Sequence, residues 1–214
     1  MEHNRMTIAP ALSQPRSVTS IHCAEDLQAF RDPSCAAAVW ERSLSPALKR
    51  WLDSLDPANL PRWREIVAVD AVQEVVVDAC EEAGTPDGPE RRELIADIQS
   101  LADAFAGMMQ TTHLRVRLEV ITSNACRRFH VDAVTGRMVC TYRGTGTQYG
   151  VGREKADPED IRTVNRGEPI FLRGTLWPST PASGLLHRSP PIAGTGETRL
   201  VLVLDPIFDP EDED

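Results

Sequence analysis

At Thr111 the hydrophobic pattern changes period, and no other feature constrains the fold as much. Before it, Leu94, Ile95, Ile98, Leu101, Ala102, Phe105, Met108 and Met109 recur at three and four, the spacing of one apolar helix face. After it, Leu114, Val116, Leu118 and Val120 alternate with Arg115, Arg117 and Glu119. That two-residue period belongs to a strand with one buried face. Gly, Pro and Thr then punctuate short β runs as far as Leu204. The first half reads as a helical layer and the second as a β barrel or sandwich.

Within the first half, Glu25–Phe30 reads as a short helix ended near Asp32-Pro33, and Ala36 to Glu41 as its helical continuation. Ser45 followed by Pro46 gives an N-cap and a proline at the first helical position, with Leu48, Trp51, Leu52 and Leu55 on one face. Asn59 and Pro61 open a further helix in which Ile66, Val69, Val72, Val76 and Cys80 keep helical spacing, broken at Gly84–Pro89. The expected domains are a flexible leader over 1–20, one domain over 21–206 and an acidic tail over 207–214. That domain divides into a helical part at 21–112 and a β part at 113–206.

Four residues in the second half carry chemistry. His130-Val131-Asp132 on an extended strand directs the imidazole and the carboxylate to one face. His187 closes the apolar run Leu185–Leu186 before Pro190-Pro191 stops it. Two His and one carboxylate around a metal leave open positions, the arrangement suited to non-haem Fe(II). Arg199 opens the strand Leu200–Leu204 and can grip a carboxylate with two parallel hydrogen bonds. Arg137 and Tyr142 lie on the strand after the His-x-Asp pair, where each can reach a cosubstrate or substrate, or else pair and pack. The turns at Gly144-Thr-Gly146 and Gly194-Thr-Gly196 space these strands as a small jelly roll requires. The fold class expected is α+β: an N-terminal helical layer packed on a C-terminal double-stranded β-helix.

The order His-x-Asp, His, Arg resembles the 2-oxoglutarate/Fe(II) dioxygenase superfamily. A closer resemblance is to a bacterial family, domain of unknown function 1826. It is carried by Cys126-Arg-Arg-Phe129-His130-Val131-Asp132, by Thr141-Tyr142-Arg-Gly144-Thr-Gly146-Thr147 and by Leu186-His187-Arg188-Ser189-Pro190-Pro191. The chain departs from that family's pattern at Arg127 and Thr145, where Pro is usual, and keeps the three ligand types. The resemblance implies Fe(II) held by His130, Asp132 and His187, 2-oxoglutarate anchored by Arg199, and an oxygenase with an unspecified substrate. The family's association with zinc-homeostasis genes implies the alternative of Zn(II) in the same ligands, for hydrolysis or a homeostatic role. A third alternative is a non-catalytic interaction protein of the same fold.

Charge and cysteine content narrow the partners. A net charge of −9, with 32 acids against 23 Lys and Arg, disfavours general affinity for nucleic acid or an anionic membrane. No apolar run reaches membrane-spanning length, and the start lacks a secretory pattern. Five Cys without a Cys-x-x-Cys pair suit a reducing cytoplasm, and Cys126 and Cys140 flank the His-x-Asp pair. The glycine-rich stretch Gly144–Gly152 is followed by polar, broken sequence instead of a helix, so it reads as a hairpin loop or substrate lid. Trp177 stands in the approach to His187, where it can wall a pocket.

Overall fold

The computed structural model describes residues 16–152, 157–179 and 182–210. The chain runs β1 (Ser17–Ile21), β2 (Cys35–Trp40), α1 (Pro46–Ser54), β3 (Trp63–Ala68), α2 (Val72–Glu82), α3 (Pro89–Met109) and β4 (His113–Ile121). It continues through β5 (Gly136–Arg143), β6 (Gln148–Val151), β7 (Arg162–Thr163), β8 (Pro169–Arg173), β9 (Leu185–Arg188) and β10 (Arg199–Ile207). Seven strands form one sheet in the order β1-β2-β8-β5-β10-β4-β3, antiparallel except for the β1–β2 pair. A second sheet has the order β7-β6-β9, and His130 bridges to His187 at its free edge. From β4 onward the chain passes back and forth between the two sheets, which is the winding of a jelly roll.

Strand parity divides the large sheet between two cores. Leu200, Leu202 and Leu204 of β10 face the helices, together with Leu114, Val116 and Leu118 of β4 and Met138 and Cys140 of β5. The opposite face, with Val139, Val201 and Val203, packs on Leu185 of the small sheet and on Val164. Leu94, Ile98, Leu101 and Phe105 of α3 are fully buried against the first face. Each contributes about 1.5–3 kcal/mol of burial before entropy is counted. The helix ends at Gln110, whose left-handed φ of 58° turns the chain directly into β4. Ser45 caps α1 as expected, its Oγ accepting from Leu48 N at 3.0 Å.

Three stretches differ from the sequence expectation. Cys35–Trp40 is a strand, although its Ala run favours helix, because it lies between β1 and β8 with both faces covered. Residues on both faces are then apolar, which removes the alternation that would mark a strand. Trp63–Ala68 is the edge strand β3 paired with β4, and the helix expected from Asn59 begins only at Val72. Ser17–Ile21, all but its last residue assigned to the leader, is β1. The part before the period change is thus mixed, since it supplies three strands of the large sheet as well as the helices. Residues 1–15 of the leader and 211–214 of the acidic tail lie outside the described residues. Among the described residues no helix is long and apolar enough to cross a membrane.

A polar cluster ties the helices to the sheet. Arg42 grips Asp97 of α3 at 2.5 and 2.8 Å, and Tyr142 of β5 donates to the same carboxylate at 2.6 Å. Asp97→Ala leaves Arg42 partly buried without its counter-charge and Tyr142 without an acceptor. The expected loss is about 2–3 kcal/mol, read as a shifted denaturation midpoint with an unchanged slope.

Candidate metal centre

His130 and His187 face each other across a backbone pair. His130 N donates to His187 O at 3.1 Å and His187 N to His130 O at 3.0 Å. Directly paired residues of antiparallel strands project to the same face, so local pairing alone brings the two imidazoles together, with ring centroids 4.6 Å apart. The sequence expectation puts His130 and Asp132 on one strand, but only His130 pairs, and Asp132 stands in the loop that follows, with its carboxylate 3.2 Å from His130 and 2.9 Å from His187. One ligand atom from each of the three residues lies within 4.8 Å of the others. Order along the sequence predicts such a convergence.

The atoms are disposed for a shared cation. His130 Nδ1 lies 2.8 Å from the Arg128 carbonyl, which fixes the ring and makes Nδ1 the proton carrier in the neutral imidazole. Its Nε2 then presents a lone pair to Asp132 Oδ1 at 3.2 Å. Two acceptors facing each other require a proton or a metal ion between them. His187 Nε2 stands 2.9 Å from Asp132 Oδ2, yet that oxygen is buried with no hydrogen bond. Ligands about 2.1 Å from a common centre and at right angles stand about 3.0 Å apart, so these spacings fit a metal. Without one, charge arrangement sets the protonation. Burial of Asp132 opposes its ionisation, but the two imidazoles and the Arg137 guanidinium prevail and hold its pKa well below the ordinary carboxylate value. The hydrogen bond with Asp132 raises the pKa of His130, whereas burial lowers that of His187.

The three ligands line a cavity of about 110 Å³ between the sheets. Arg199, 1% exposed, enters it from the first position of β10. Its Nε donates to Thr145 O at 2.6 Å, Nη1 to Ser189 Oγ at 3.1 Å and Nη2 to Thr141 Oγ1 at 3.4 Å. All three acceptors are neutral, and burial pulls the guanidinium pKa down to about 10. Gly144, at φ +80°, lets the loop after β5 close over this arginine, for a Cβ there would stand 2.8 Å from Arg199 Cγ. The glycine-rich loop expected as a hairpin instead shapes the cavity where the chain crosses from β5 of the large sheet to β6 of the small one, since these two strands do not pair.

Arg137 also borders the cavity, with its nitrogens spent on carboxylates: Asp132 Oδ1 at 2.6 Å and the Asp205 oxygens at 2.6 and 2.8 Å. Tyr142 corrects the sequence expectation. Its side chain is fully buried against the helices and bonded to Asp97, away from the cavity. Parity explains this, since Arg137 and Tyr142 are an odd number of residues apart on one strand. Arg117 lines the cavity and meets Asp205 Oδ2 at 3.0 Å. Asp205 is absent from the sequence expectation, although it shares parity with Arg199 and interrupts an apolar strand, which is the signal that could have found it.

The other flagged residues separate clearly. Cys126 is exposed and borders the cavity. Cys140 is on the helix side, where burial pushes its thiol up to about 12. Trp177 packs edge-on to Phe30 and under the Arg173 guanidinium. Gly174 backs the Asp132 loop so closely that a Cβ would stand 1.8 Å from Val134 O and 2.8 Å from Asp132 O. The adjacent Thr175 N donates to Asp132 O at 2.8 Å.

Two solved structures share this fold. A rice dioxygenase for auxin oxidation aligns over 92% of this chain and 85% of its own, at 14% identity and a TM-score of 0.53. The corresponding enzyme of Arabidopsis thaliana, solved with 2-oxoglutarate, aligns over 91% of this chain and 94% of its own, at 8% identity and a TM-score of 0.51. No curated protein matches the sequence. A family model matches residues 22–205, and the chain belongs to that family, described as protein of unknown function DUF1826.

Proposed function

We propose that this protein is a non-haem Fe(II)- and 2-oxoglutarate-dependent oxygenase. The observation that carries the reading is the meeting, in one cavity, of a two-His-one-carboxylate group with a buried arginine that, among the described residues, is bonded to neutral acceptors. The fold shared with the two dioxygenases supports it. His130, Asp132 and His187 would hold the metal, which when loaded with the keto acid supplies oxidative chemistry with O2. The residues of the chain do the rest. The Arg128 carbonyl keeps the Nδ1 proton of His130 away from the ligand position. Arg199 offers its forked donors to the far carboxylate of the cosubstrate, with Ser189 and Thr141 already aligned on them. Four arginines, Arg117, Arg137, Arg188 and Arg199, line the cavity beside the acids Glu119 and Asp132, with Asp205 paired to Arg117 and Arg137, which leaves one positive charge in excess. An acidic chain thereby keeps a locally cationic interior, suited to a dianion.

The test is oxygen-dependent conversion of 2-oxoglutarate to succinate by anaerobically prepared protein given Fe(II). Turnover that requires Fe(II) and disappears with Zn(II) in its place is the expected result. Tight, stoichiometric Zn(II) binding without turnover under Fe(II) would favour the zinc alternative instead.

A further inference from the structure

Four charged side chains run in alternating sign across three adjacent strands and end on the ligand carboxylate. Arg117 of β4 meets Asp205 of β10 at 3.0 Å. Asp205, 2% exposed, receives Arg137 of β5 in a two-pronged grip at 2.6 and 2.8 Å. The remaining nitrogen of Arg137, Nη1, reaches Asp132 Oδ1 at 2.6 Å. Asp132 Oδ2 is left buried and without a hydrogen bond, beside His187 Nε2.

We infer that Arg137, anchored by Asp205 and Arg117, is a positioning residue that fixes the orientation in which the Asp132 carboxylate meets a metal ion, with Oδ1 toward His130 and Oδ2 toward His187. The inference rests on the metal reading above. A carboxylate offers about four lone-pair sites on two oxygens, and its terminal torsion is broad and roughly two-fold. Left unrestrained, it can turn out of that orientation. Arg137 engages Oδ1 and restrains that rotation. Asp205 in turn restrains Arg137, because a planar guanidinium held at Nε and Nη2 by one carboxylate has its Nη1 direction set. Arg137 is thereby occupied as a carboxylate holder, and cosubstrate anchoring falls to Arg199.

The sign of a substitution separates this role from simple charge balance. A guanidinium beside a cation site repels the metal, so a merely electrostatic Arg137 would weaken metal binding and its removal would tighten it. A positioning Arg137 does the opposite, since substitutions in the shell behind metal ligands cost about 10–100-fold in affinity. The probe is Mn(II) alone, titrated into wild type, Arg137→Met, Arg137→Lys and Asp205→Asn, with circular dichroism and thermal unfolding recorded for each. The expected dissociation constants rise about 10–100-fold for Arg137→Met. They rise clearly for Arg137→Lys, which keeps the charge and lacks the fork, and by a smaller factor for Asp205→Asn. A folded Arg137→Met or Arg137→Lys that binds Mn(II) as tightly as wild type, or more tightly, overturns the inference. If neither arginine variant folds, wild-type affinity in Asp205→Asn overturns it. Wild-type protein that binds no Mn(II) rejects the metal reading itself, and the inference falls with it.

Discussion

Asp132→Ala is expected to abolish stoichiometric metal binding while leaving the fold intact. The substitution removes the one carboxylate ligand and leaves two imidazoles with no negative charge among the ligands. Affinity should fall by more than about 100-fold, since changes behind the ligands alone reach that size. The fold should survive because the loop carrying Asp132 is held by its backbone, through Thr175 N on Asp132 O, Gly174 N on Thr135 O and Leu176 N on Val134 O. Arg137 retains both of its bonds to Asp205. Equilibrium dialysis against Fe(II) under anaerobic conditions, beside a thermal melt, reads both quantities. Undiminished metal content would show that ions bind elsewhere on the chain.

Arg199→Lys is expected to weaken 2-oxoglutarate binding by about 10–100-fold with metal content unchanged. A charge-assisted hydrogen bond contributes about 1.5–3 kcal/mol, and each 1.4 kcal/mol is a factor of ten. Lys keeps the charge but is a point donor that cannot reproduce two parallel bonds. Its shorter set of donors also leaves Thr145 O, Ser189 Oγ and Thr141 Oγ1 incompletely paired. A competition titration with Fe(II) replaced by inert Zn(II) or Mn(II) measures cosubstrate affinity apart from turnover. Equal affinity in the two proteins would remove Arg199 from cosubstrate binding.

Much of this site was legible because strand parity is a strict rule. Arg199 had to oppose the apolar set Leu200, Leu202 and Leu204, whereas the strand expected to carry His130 and Asp132 is a single bridge at His130 followed by a loop. The same rule, applied to β5, separates Arg137 from Tyr142 and would have excluded the tyrosine from the cavity. It would also have exposed Asp205 as a second inward charge on β10. The change of period at Thr111 marked a true junction, since α3 ends and β4 begins there. What escaped the sequence was set by tertiary position. β2 is rich in Ala because neighbours cover both of its faces, and helix propensity is a weak prior there. The valines and isoleucine of 66–76 fit a helical spacing across a strand and a helix that are joined by a single 3-10 turn at Val69–Ala71. Asp97, an ordinary polar position on α3, gains its importance only from Arg42 and Tyr142 arriving from distant parts of the chain.

Visible spectroscopy reads whether one cavity holds Fe(II) and a keto acid together. Fe(II) chelated by a 2-keto acid gives a charge-transfer absorption that neither component shows alone. Anaerobic protein loaded with one Fe(II) and titrated with 2-oxoglutarate should develop this band and saturate at one equivalent per chain. The band should be absent in Asp132→Ala and should require far more cosubstrate in Arg199→Lys. A spectrum that stays unchanged on adding 2-oxoglutarate to the Fe(II)-loaded wild-type protein would contradict the account.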